Sequence, residues 1–377
     1  MKVTMKPRAR DLNIRFGQLQ PGPLNAITDV PGVRVGHSDV RGRTAKGRDI
    51  LTGVTVIEPR AGSTSQQPCF AGVHVLNGNG DATGLEWIRE AGLLTSPIAF
   101  TNTHSLGVVR DALIVLDREQ QPDDGRLYWN MPVVLETYDG LLNDINGFHV
   151  KPEHVVQAVA NAAGGPVREG NVGGGSGMIC HEFKGGIGTA SRRLSSSQGG
   201  WTVGAIVQAN HGIRNELRVD GYPVGRYMEQ VDSPFLKAAL PHPGMGSIVV
   251  CLATDAPLLP HQCTRLAQRA SLGLARTGGG NEDHSGDIFI AFATGNEHVP
   301  PAAYESKKTP TTDNLRMVNN DHISELFLAA TEAVEEAIIN AMLAAETAEG
   351  NGHAVPALDA GTLRKALQQA GWPGAAS

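Results

Sequence analysis

A mixed α and β fold, with strands and helices packed in layers, is the architecture this sequence predicts. Three observations carry it. Within Ser247–Thr254 and 287–294, the stretches 248–253 and 288–293 are continuously apolar and rich in β-branched residues, the character of strands buried on both faces. Helical spacing appears beside them: Leu266, Ala267, Ala270 and Leu274 form one stripe, and Ile323, Leu326, Phe327, Ala330, Val334, Ala337, Ile338 and Ala341 form a longer one. Glycine, at 46 of 377 residues, exceeds the usual ~7% and signals many tight turns and close backbone contacts.

Taken in order, strands are expected at 53–57, 72–76, 131–136 and 201–208, and helices at 84–91, 108–116 and 152–162. Pro241-His242-Pro243-Gly244-Met245-Gly246 then reads as an exposed loop. The charge changes there, because 15 acidic and only 8 basic residues follow Gly246, whereas the preceding part is nearly balanced. The strand from Ser247 comes next, then a helix opened by Pro260 and stopped by Gly278. After the strand at 287–294, Asp321 and Ser324 are candidate caps for the long helix. The Gly- and Ala-rich tail after Glu349 is expected to be mobile.

Composition excludes several classes. A net charge of −6 and a pI near 6.1 argue against nucleic acid as a partner. No apolar run approaches the length of a membrane span, and the basic N-terminus lacks the apolar core of a secretory signal, so a cytoplasmic protein is expected. Cys69, Cys180, Cys251 and Cys263 contain no C-x-x-C pair, which implies neither a disulfide framework nor a thiolate metal site. The histidines include no H-E-x-x-H, and His181-Glu182 and His284 read as ordinary polar residues. The glycine runs 77–84 and 173–177 lack the spacing of phosphate loops, and no G-x-S-x-G elbow is present. Neither a cofactor nor a metal is expected.

One junction carries chemistry. Gly-Ser occurs at Gly62-Ser63, Gly175-Ser176 and Gly246-Ser247, about as often as chance allows, but only the last joins a Pro/Gly loop to a buried strand. Were that bond cut, Ser247 would begin a chain with its α-amine fixed at a strand mouth. An α-amine titrates near pH ~8, so its neutral form can take the proton of the serine's own hydroxyl. Locally, the junction also reads as an ordinary turn entering a strand.

Five ordered segments resolve the matter by resemblance. They are Asn25-Ala26-Ile27-Thr28-Asp29-Val30-Pro31-Gly32-Val33-Arg34-Val35-Gly36-His37, Glu136-Thr137-Tyr138-Asp139-Gly140, Val207-Gln208-Ala209-Asn210-His211-Gly212, Gly246-Ser247-Ile248 and Ser285-Gly286-Asp287. Over about Arg8 to Thr294 the chain resembles the autoprocessed serine aminopeptidases: L-aminopeptidase/D-Ala-esterase/amidase and the related β-peptidyl aminopeptidases. The resemblance implies one domain, a four-layer αββα sandwich like that of N-terminal-nucleophile hydrolases, cut between Gly246 and Ser247 into chains 1–246 and 247–377. It implies Ser247 as nucleophile, with Ser285 and Asp287 near its amine and hydroxyl. It further implies Asn210 as oxyanion donor, Tyr138 as a hydroxyl beside the nucleophile, and Glu136 as the carboxylate that binds the substrate's ammonium. A homo-oligomer of αβ heterodimers is implied as well.

The implied substrates are small peptides, amides and esters with a free amine, such as L-Ala and Gly peptides and D-Ala amides; the alternative is a β-peptidyl aminopeptidase. Arg8-Ala9-Arg10-Asp11-Leu12 looks more like the L-aminopeptidase/D-amidase branch. Two other readings compete: an acyltransferase resembling glutamate N-acetyltransferase, whose second chain begins with threonine where this sequence has Ser247, and an unprocessed scaffold that binds small peptides.

Overall fold

The computed structural model describes residues 6–121, 123, 128–235, 246–301 and 312–374. Its first strands are β1 (Arg34–Arg43), β2 (Asp49–Glu58), β3 (Cys69–Gly78), β4 (Leu93–Leu94), β5 (Ile98–Asn102) and β6 (Val133–Thr137). A hairpin of β7 (Ile179–Cys180) and β8 (Phe183–Lys184) leads into β9 (Gly186–Arg193) and β10 (Thr202–Asn210). Next come β11 (Ser247–Thr254), β12 (Gly286–Ala293) and the small pair β13 (Ala348–Gly350) and β14 (His353–Val355). The helices are α1 (Leu85–Ala91), α2 (Leu106–Glu119), α3 (Pro152–Ala160), α4 (Pro260–Thr277), α5 (Ser324–Ala344) and α6 (Ala360–Gln369).

Two sheets form the middle layers, one ordered β1-β2-β5-β6 and the other β4-β3-β12-β11-β10-β9. Helices α2 and α3 cover the outer face of the first, and α4 and α5 cover the second. This is the αββα sandwich.

Alternation within β11 shows why its sequence is apolar throughout. Val249, Cys251 and Ala253 join the core between the sheets, with Ile57, Phe100 and Leu135 opposite, whereas Ile248, Val250 and Leu252 join the core beneath α4 and α5. β12 behaves likewise, with Ile288, Ile290 and Phe292 inward and Phe289 and Ala291 toward the helices. A strand covered on both faces has no polar side, so an unbroken hydrophobic run is its signature. The four cysteines are buried and unpaired.

Three expectations need correction. Residues 350–374 of the tail are ordered: they supply part of β13, then β14 and α6, whose Leu363 and Leu367 are fully buried. Neither Asp321 nor Ser324 caps α5, because a 3-10 turn over Asn320–His322, capped by Asn319, precedes it. Finally, α5 is buried nearly all round rather than on one face. Its acids survive there because Arg192, fully buried on β9, reaches Glu332 at 3.0 Å and Glu336 at 2.8 Å, while Arg10 reaches Glu336 at 3.0 Å. The loop expected at 241–245 lies outside the described residues.

Arg192→Met is expected to destabilise the protein by about 3–5 kcal/mol, since it leaves the buried Glu332 carboxylate without its cation, held only by the Gln18 and Leu19 N–H groups. A clear fall in the urea midpoint would show this; an unchanged midpoint would mean the pair is not needed.

Candidate active site

Strand pairing brings Ser247, Asn210, Ser285 and Asp287 together at one end of the central strands of the six-stranded sheet. β10 runs antiparallel to β11 with Asn210 opposite Ser247, the last residue of one strand facing the first of the other. β12 runs parallel to β11 with Asp287 beside Ile248. On the far side of β12 lies β3, with Asn77 opposite Asp287 and a register shift between Asp287 and Ile288. Such an irregularity bends a strand and re-aims its side chains.

Ser247 is buried, and its Oγ accepts the Gly286 N–H at 3.0 Å. Asp287 Oδ1 accepts from Ser285 Oγ at 2.6 Å and from the Ile248 N–H at 3.2 Å, while Oδ2 accepts from Asn77 Nδ2 at 2.7 Å. Asp287 thus grips the residue after Ser247 and the Ser285 hydroxyl. Burial raises its pKa above the usual carboxylate value, and these donors oppose the rise.

Asn210 Oδ1 accepts the Ile179 N–H at 2.7 Å, which orients the amide. Its Nδ2 donates to the Tyr138 carbonyl at 3.0 Å, and a Cβ built on Gly246 would stand 3.4 Å from the same nitrogen. One amide N–H therefore serves the wall, and the other has no acceptor among the described residues. Tyr138 contributes its backbone to this contact. Its side chain is half exposed and folds over Gly140, where a Cβ would stand 2.3 Å from the hydroxyl.

Glu136, the penultimate residue of β6, is 3% exposed. Its Oε1 accepts the Asp81 N–H at 2.8 Å, and burial raises its pKa. All of Glu136, Tyr138, Asn210, Gly246 and Ser247 line one cavity of about 670 Å³; Ser285 and Asp287 stand behind Ser247.

Several participants escaped the sequence reading: Asn77, the N–H groups of Gly286, Ile179 and Asp81, and the hairpin that carries Ile179. The glycine run 77–84, dismissed as a phosphate loop, was the available signal. It leaves β3, donates Thr83 N–H to Val134 of β6 at 3.0 Å, and places Gly80 so near Glu136 that a Cβ would stand 3.3 Å from Oε1. Gly286 is similarly constrained, since a Cβ there would stand 2.7 Å from the Asn79 carbonyl.

Among the described residues, Cys180, His181 and His211 alone group donor atoms suited to a metal, within 4.8 Å of one another. Burial holds them as neutral groups, raising Cys180 to about 12 and lowering His181 to about 4, whose Nδ1 donates to the Ile213 carbonyl at 3.0 Å.

The profile of peptidase family S58 matches residues 25–355. A β-peptidyl aminopeptidase of Sphingosinicella microcystinivorans is 46% identical over 376 residues, covering 96% of this chain and 92% of that protein. Among solved structures, a Burkholderia sp. β-aminopeptidase superposes with a TM-score of 0.91 at 65% identity, covering 97% of this chain and 99% of the other. The L-aminopeptidase D-Ala-esterase/amidase of Ochrobactrum anthropi, described as a prototype of the serine aminopeptidases and a variant of the Ntn hydrolase fold, superposes with a TM-score of 0.86 at 45% identity and the same coverage. No helix among the described residues is long and apolar enough to cross a membrane. With this architecture and these relatives, the chain belongs to peptidase family S58 and is a serine aminopeptidase.

Proposed function

We propose that this chain cuts itself between Gly246 and Ser247 and then, with Ser247 as the new N-terminus, hydrolyses amides whose free N-terminal residue is a small β-amino acid. The observation that supports the site is the sharing of one cavity by the Ser247 hydroxyl and the buried Glu136 carboxylate. The preference for β-residues is supported by the 65%, 46% and 42% identical relatives, all named as β-aminopeptidases or β-peptidyl aminopeptidases. The α-peptide and D-amide reading is supported by the 45% identical Ochrobactrum enzyme. The N-terminal stretch does not weigh on its side: Arg8 pairs with Glu169 and Arg10 with Glu336 on α5, and neither lines the cavity.

In this mechanism, Glu136 binds the substrate ammonium by a charge-assisted hydrogen bond. Ser247 Oγ attacks the carbonyl carbon, and its proton passes to the Ser247 α-amine. The carbonyl oxygen becomes an oxyanion facing Asn210 Nδ2. Collapse breaks the amide bond, and the leaving amine takes the proton back. Water then hydrolyses the ester, restoring the hydroxyl. Asp287, bonded to the next peptide and to Ser285, favours the transient ammonium on Ser247. In the precursor, the same Oγ attacks the Gly246 carbonyl.

Ser247→Ala is expected to remain one chain of 39.8 kDa without amidase activity, whereas the wild type runs as bands of about 26 and 14 kDa by proportion. A cleaved or active variant on a denaturing gel and anilide assay would refute the nucleophile. On β-homoalanine, L-Ala, Gly and D-Ala anilides, the β-substrate is expected to have the highest kcat/KM; a higher value for L-Ala or D-Ala would restore the α-peptide reading.

Glu136→Gln is expected to cleave itself normally yet lose about 10–100-fold in kcat/KM on these substrates, the worth of a charge-assisted hydrogen bond. The pH dependence has a definite sign. Glu136 must be ionised to hold an ammonium, and its pKa is raised, so KM is expected to climb as pH falls through a value above the ordinary carboxylate range. KM measured against pH should show that acid limb in the wild type and lose it in Glu136→Gln; a limb common to both would assign it elsewhere.

A further inference from the structure

The peptide group joining Met178 to Ile179 is bonded to a side chain at each end. Its carbonyl accepts from Lys184 Nζ at 2.7 Å, and its N–H donates to Asn210 Oδ1 at 2.7 Å. The other Lys184 donors go to the carbonyls of Gly175 at 3.1 Å and Gly185 at 3.0 Å. An ammonium, a peptide and a side-chain amide thus stand in series, and the last of them faces the carbonyl to be attacked.

We infer that Lys184 is a positioning residue for the oxyanion site, acting through the Met178–Ile179 peptide to orient and polarise the Asn210 amide. Three observations support it. Lys184 is fully buried and its ammonium is held by carbonyl dipoles, an expensive arrangement that an apolar side chain would avoid. Burial lowers its pKa to about 7, the mark of that cost. The turn between β7 and β8 is also unusual. His181 and Glu182 adopt φ of 47° and 64°, the left-handed geometry that two-residue hairpins ordinarily give to Asn-Gly. That turn keeps Lys184 folded back over the Met178 carbonyl, as functional sites tolerate strain to hold a geometry.

The chemistry follows from the bond directions. A cation on the Met178 carbonyl strengthens the Ile179 N–H as a donor, and that donor on Oδ1 strengthens the Asn210 N–H in turn. It also excludes the flipped amide, because Oδ1 alone can accept the Ile179 N–H. The stabilisation grows as negative charge develops on the substrate oxygen, so it belongs to the transition state rather than to binding.

The inference rests on the oxyanion role proposed for Asn210, and a double-mutant cycle separates the two. Lys184→Met, Asn210→Ala and their combination are assayed on β-homoalanine anilide, with rates normalised to the cleaved enzyme. Where a variant stays uncleaved, the first-order rate of chain cleavage is read instead. Lys184→Met is expected to lower kcat by about 10-fold or more, a fraction of the ~10²–10³ lost with an oxyanion donor, and to leave KM within about twofold. In the Asn210→Ala background it is expected to cost nothing further. Losses that multiply, or a Lys184→Met enzyme with wild-type kcat, would overturn the relay while leaving the site intact. An Asn210→Ala enzyme with wild-type kcat would instead remove the oxyanion role itself. If Lys184→Met does not accumulate as folded protein, Lys184→Gln, which keeps a donor but no charge, enters the same cycle under the same criteria.

Discussion

Everything in the site hangs on the pairing of β11 with its two neighbours. The parallel register with β12 sets Asp287 beside Ile248, and the antiparallel register with β10 sets Asn210 opposite Ser247. A slip by one residue would turn each side chain to the opposite face. Slippage is prevented by burial on both sides, since Val249 and Cys251 must stay between the sheets and Val250 and Leu252 must stay under the helices. The hydrophobic core is therefore what holds Ser247 to its position.

Against this apolar frame, the site concentrates carboxylates that burial makes costly. Glu136 and Asp287 both have raised pKa values because they are withdrawn from water, and both are held by backbone, amide and hydroxyl donors rather than by arginine or lysine. On the proposed reading, a cation paired with Glu136 would neutralise the charge meant for the substrate's ammonium. Elsewhere the opposite solution appears, with Glu332 and Glu336 paired to Arg192 where no ligand must enter. The two site acids and the α5 acids thus differ in their partners, neutral donors in one case and an arginine in the other.

The legible parts of the fold were those whose sequence has one clear cause. β11 and β12 stood out because burial on both faces demands unbroken apolar runs, and α4 because its buried Leu266, Ala267, Ala270 and Leu274 recur at helical spacing. β9 did not, because Gly188 gives way to the backbone of α5, while Thr189, Ser191 and Arg192 are buried through hydrogen bonds rather than hydrophobicity. The ordered tail was misread for a related reason: Leu363 and Leu367 are too few to outweigh its small residues until the rest of the core is present. In the site, Ser247, Asn210 and Glu136 were legible through the family resemblance rather than from their local sequence, and the structure gathers them around one cavity. Backbone donors from Gly286, Ile179 and Asp81 have no side-chain signature, so only the fold reveals them.

The central claim is that the Ser247 hydroxyl, at the start of a new chain, is the atom that forms the acyl bond. Its most direct test is to trap the purified enzyme with an amine-bearing phosphonate diester, then determine the intact mass and N-terminal sequence of the small chain. The account predicts a chain beginning Ser247-Ile248-Val249 with one phosphonyl group on Ser247. A small chain beginning at any other residue, or an adduct carried by Ser285 with Ser247 unmodified, would contradict it.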